Sequence, residues 1–83
     1  MRKVRKMQDP QTEFVDVALR LAAASCQERG ATVPLILDRM LTFAAAQAAL
    51  IDGSAQTARQ FRQMADRIEA GCFYSITGEG RRN

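Results

Sequence analysis

An all-α chain is what this sequence predicts: a small three-helix bundle with a basic N-terminal arm and a C-terminal aromatic segment. Two observations carry that reading. Glycines at 30, 53 and 71 separate three runs whose apolar residues recur at three- and four-residue spacing, and helix-capping residues open each run. The 83 residues allow one domain, and 47% hydrophobic with 25% charged residues is the composition of a globular protein.

The first helix starts at Asp9-Pro10, because the carboxylate can accept from free backbone amides and proline at the first helical position loses no bond. It runs to about Arg29, with Gly30 as its stop. Two stripes lie on it: Phe14, Val17, Ala18 and Leu21 form the first, and Val15, Leu19, Ala22 and Cys26 the second. Only one stripe is needed for a seam within the chain, which leaves the second for a partner. A broad alanine-rich face that lets helices approach closely is the plainer account of the same residues.

Thr32 caps a second helix that tolerates Pro34 in its first turn and continues to about Ile51. Ile36, Leu37, Met40, Leu41, Phe43, Ala44, Ala48, Leu50 and Ile51 spread over an arc of about 180°, wide enough to meet two neighbours, so this helix is expected at the centre. Gln47 projects into that arc, where its amide needs a hydrogen-bonding partner or an interface. Ser54 is expected to cap a third helix ending near Ala70, with one apolar face made by Ala58, Phe61, Met64, Ala65 and Ile68.

Beyond it, Cys72, Phe73, Tyr74, Ser75 and Ile76 hold two of the five aromatic residues. Leaving both rings in water is unfavourable, so the segment is expected to fold back over helix one or to offer Phe73, Tyr74 and Ile76 to a partner. Residues 1–8 read as a flexible basic arm, 9–77 as the helical domain and 78–83 as a loose tail.

The net charge of +3 is unevenly placed. Arg2, Lys3, Arg5, Lys6, Arg81 and Arg82 lie in the tails, and residues 9–80 carry six bases against nine acids. The arm residues Arg2, Lys3, Arg5 and Lys6 are the candidates for contact with nucleic acid phosphates, a salt-sensitive and sequence-blind mode, and also serve solubility. A helix-turn-helix at Gly30 fits poorly, because the next helix opens on Val33, Pro34, Leu35, Ile36 and Leu37 where base-reading side chains are needed.

No histidine is present, and Cys26 and Cys72 alone match no metal-ligand spacing, so neither metal nor cofactor is expected. The acids Glu13, Asp16, Asp38, Asp66 and Glu69 are scattered singly and no nucleophile has a base in reach, which points away from an enzyme. Gln8, Asp9 and Pro10 stand where a signal peptide needs an apolar run, and no uninterrupted apolar stretch has the length of a membrane span. A cytoplasmic chain with reduced cysteines and no membrane contact is expected.

The stretch Thr57-Ala58-Arg59-Gln60-Phe61-Arg62-Gln63-Met64-Ala65-Asp66-Arg67-Ile68-Glu69-Ala70-Gly71, the alanine-rich helices and the basic tails resemble small proteins encoded on rhizobial plasmids and integrative elements. In size and character the chain is similar to the antiactivators that silence quorum-sensing activators of conjugative transfer. The resemblance covers the C-terminal half and carries no diagnostic motif, so it assigns no binding residue. It implies an inhibitor that binds an acyl-homoserine-lactone-responsive activator, or a downstream activator of element excision, and prevents transcription.

The resulting expectation is a stoichiometric protein-binding regulator that docks through Val15, Leu19, Ala22 and Cys26 together with Phe73, Tyr74 and Ile76. A DNA-associated accessory protein using the basic arm, or a homodimeric module in which the second stripe meets its own copy, are the alternatives.

Overall fold

A computed structural model describes residues 9–81. The chain is all-α, and among the described residues there is no strand. Its elements in order are α1 (Pro10–Glu28), α2 (Val33–Asp52), α3 (Ser54–Glu69), the single turn α4 (Tyr74–Thr77) and a 3-10 turn over Glu79–Arg81. The described residues belong to two compact units, 1–41 and 42–83, divided within α2.

In the first unit Asp9 caps α1 as expected: its Oδ1 accepts from the Gln11 amide at 3.0 Å, and Pro10 is the first helical residue. Glu13 in the first turn adds a favourable charge beside the helix N-terminus. At the other end Gly30 N–H donates to the Gln27 carbonyl and Ala31 N–H to that of Cys26, the paired closure that satisfies the last carbonyls of a helix. Thr32 then caps α2, its hydroxyl accepting from the Leu35 amide at 3.3 Å.

In the second unit the cap differs from the expectation. Ser54 is the first residue of α3, and Gly53 takes the cap position at φ 86° and ψ 157°. One residue alone separates Asp52 from Ser54. That residue must leave helical geometry entirely, and the conformation it adopts is essentially confined to glycine. Gly71 closes α3 with the same paired pattern as α1, Cys72 N–H reaching the Arg67 carbonyl at 3.0 Å.

Burial does not follow the expected stripes. Among the described residues only Ile36 and Thr57 are buried. In the first unit Ala23, Ala31 and Met40 are half-buried, while α1 has no buried residue. Phe14, Val17 and Leu21, the stripe expected to form the internal seam, are exposed.

In the second unit the half-buried residues gather beside the turn at Gly53. Except for Gly71, they are Ala45, Ala48 and Ala49 before it and Ala58 and Phe61 after it, with buried Thr57 among them. The expected α3 face is thus inward only in its first half, because Met64, Ala65 and Ile68 are exposed.

The wide apolar arc of α2 is likewise not covered. Leu37, Leu41, Phe43, Leu50 and Ile51 are all exposed. By length and composition alone α2 is apolar enough to cross a membrane, although no uninterrupted apolar run reaches that length. The uninterrupted run is broken by Asp38, Arg39, Thr42 and Gln47, yet the helix as a whole averages over them.

Candidate protein-binding surface

On α1 the expected partner stripe is open to solvent. Val15 and Leu19 retain 50% and 51% of their surface, and Ala22 and Cys26 are exposed too. At 100° per residue these four side chains fall within about 60° of one another. Counting Phe14, Val17, Ala18, Leu21, Ala23 and Ala24, the middle of α1 is apolar around most of its circumference. Between Phe14 and Ala24 only Asp16 and Arg20 interrupt it, and both fall on the remaining side.

The start of the stripe borders polar groups. A shallow groove is lined by Asp9, Gln11, Thr12, Val15 and Asp16, so Val15 sits between the capping carboxylate and the aliphatic surface beyond it. An apolar body with an acidic end is a surface on which a partner can be oriented as well as held.

The C-terminal segment, in the other unit, is ordered in a way the sequence reading did not anticipate. Phe73, Tyr74 and Ile76 lie in and beside the one-turn helix α4, with 43%, 39% and 79% of their surface exposed. The Tyr74 ring lies over two glycines. A Cβ on Gly71 would stand 2.8 Å from Tyr74 Cδ2, and one on Gly80 would meet the same atom at still closer range. Residues from Gly78 onward, expected as a loose tail, include the 3-10 turn Glu79–Arg81, held by the Thr77 hydroxyl donating to Glu79 Oε1 at 2.7 Å. The recurrence of glycine three residues before and six after a lone tyrosine was the available signal for this clasp.

Cys26 and Cys72 are free, exposed thiols. Among the described residues no group of three or more Cys, Asp or Glu side chains is placed to hold a metal ion. The arm residues Arg2, Lys3, Arg5 and Lys6, proposed for nucleic acid phosphates, lie outside the described residues.

Sequence reasoning missed Thr57. Its hydroxyl is buried and has no hydrogen-bond partner among the described residues, although its backbone amide donates to the Gly53 carbonyl at 3.1 Å. Threonine is usually read as a surface or capping residue, and nothing in its neighbours marks it as internal.

No family model, no curated protein and no solved structure matches the chain.

Proposed function

We propose that this chain is a non-enzymatic regulator that binds another protein through the Val15, Leu19, Ala22 and Cys26 stripe of α1, in the manner of an antiactivator sequestering a transcriptional activator. One observation carries the reading: α1 is a 19-residue helix rich in large apolar side chains and buries none of them. Fully covering a valine, leucine or phenylalanine is worth about 1.5–3 kcal/mol, so the helix holds a large unspent driving force for association. A few such anchors suffice to dominate an interface.

The C-terminal segment offers a separate set of anchors. Phe73 and Ile76 extend from a turn fixed by the Tyr74 clasp, which limits the ordering cost of presenting them. The kind of target, an activator of quorum sensing or conjugative transfer in the cytoplasm, rests on the resemblance set out above.

The test is a reporter driven by an acyl-homoserine-lactone-responsive activator. Co-expression of the chain is expected to silence it, and the double substitution Leu19→Asp with Tyr74→Ala to restore it. Leu19 is exposed on α1 and Tyr74 bears only on the one-turn α4 and its flanking glycines, so the helicity of α1, α2 and α3 by circular dichroism should be unchanged. A correctly folded double variant that still silences the reporter would remove this site.

A further inference from the structure

We propose that the second half of α2 is a self-association surface, on which Phe43, Gln47, Leu50 and Ile51 meet the same residues of a second copy of this chain. The second unit turns this stretch of helix in an unexpected direction. Ala45, Ala48 and Ala49, its smallest side chains, are half-buried, whereas Phe43 keeps 66% of its surface exposed, Leu50 79% and Ile51 80%. At 100° per residue the alanines centre on the side opposite Phe43 and Leu50. Small residues inward and large apolar residues outward is the pattern of a helix with a second partner to satisfy.

Three features of the outward face select a second copy as that partner. From Met40 to Ile51 there is no charged side chain. A two-fold contact sets each group near its own counterpart, so a charge there would be repelled by itself, and its absence suits self-pairing. Gln47 is exposed in the middle of the face, and its amide carries both donors and an acceptor. Two such amides across a two-fold axis satisfy each other, and a single polar residue in an apolar seam fixes the register.

The spacing completes the match. Phe43 lies four residues before Gln47, and Leu50 and Ile51 lie three and four after it. An antiparallel pair centred on Gln47 therefore places each Phe43 ring against Leu50 and Ile51 of the other copy. Each of these three side chains exposes on the order of 100 Å². With Gln47 and the flanking Ala44 and Ala46, one copy offers about 400–500 Å², the small end of specific interfaces. The association is accordingly weak and reversible.

Sedimentation velocity on the full chain from micromolar to submillimolar concentration tests this. The wild type shifts from monomer toward dimer, whereas Gln47→Glu and Gln47→Lys each stay monomeric because like charges meet at the axis. Mixing the two variants in equal amounts restores the dimer. A wild type that stays monomeric overturns the proposal, as does a mixture that associates no better than its components, which would place residue 47 against something other than itself. Should a charged variant lose helicity, Gln47→Cys in a Cys26→Ser, Cys72→Ser background decides by mild oxidation: a disulfide-linked dimer supports the surface and a persistent monomer rejects it.

Discussion

Helix α1 and the region beside Gly53 differ in what they enclose. Along α1 phenylalanine, valine and leucine face water, while beside Gly53 the enclosed residues are alanines, Phe61 and Thr57. Both lie in a chain of ordinary globular composition. The contrast teaches that here side-chain apolarity alone does not decide burial. Large side chains on α1, and Leu50 and Ile51 beside Gly53, remain available for intermolecular contact.

The sharpest way to break the contrast is to relax the turn. Gly53 has open space where a Cβ would go, so Gly53→Ala meets no clash and isolates the conformational penalty of φ 86°, ψ 157°. A side chain in that region costs about 3 kcal/mol. The expected outcome is a large drop in the thermal midpoint, with Ala45, Ala48, Ala49 and Thr57 losing amide-exchange protection together. Retained protection would mean that burial around Gly53 does not depend on the turn.

On the α1 side, Leu19→Asp should cost about 2 kcal/mol or more in affinity for the partner, a loss of some thirtyfold, while leaving stability within about 0.5 kcal/mol. Titration calorimetry and urea unfolding report the two effects separately. A variant that unfolds instead would show that Leu19 serves the chain's own core.

Thr57 sharpens the other side. Its enclosed hydroxyl lacks a partner, and such a group costs about 1–3 kcal/mol. Thr57→Val keeps the branched shape and removes that cost, so the urea midpoint is expected to rise by an amount equivalent to about 1 kcal/mol. A fall would show that the hydroxyl is satisfied in solution.

The limits of helices were legible because their signals are local. Asp9-Pro10, Thr32 and the glycines at 30 and 71 act within a few residues of their own position, and the structure uses each as expected. Ser54 was misassigned for the same local reason: a hydroxyl residue followed a glycine, and only the one-residue spacing from Asp52 decides that the glycine itself must occupy the cap. Burial was less legible. On α2 the large apolar residues mark an arc of about 180° as the inward side, and Ala45, Ala48 and Ala49 carried too little hydrophobicity to announce that the second half of the helix buries the other side. The exposure of Val15 and Leu19 could be expected from the doubled stripe on α1, but the equal exposure of Phe14 and Leu21 could not.

The smallest effect bears on how far α1 is self-supporting. With no buried residue to hold it, the helix depends on its own ends more than a packed helix does. The Asp9 carboxylate satisfies the Gln11 amide and sits at the positive end of the helix dipole. Asp9→Ala removes both contributions, worth about 1 kcal/mol together. Helicity by circular dichroism should fall in the free chain. If the α1 stripe does meet a partner, binding should restore most of that lost signal, because coverage of Val15 and Leu19 then stabilises the helix that the cap no longer supports. The same substitution at a helix end already anchored by tertiary burial would change helicity little with or without a partner, so the size of the recovery measures how much of the order in α1 is supplied from outside the chain.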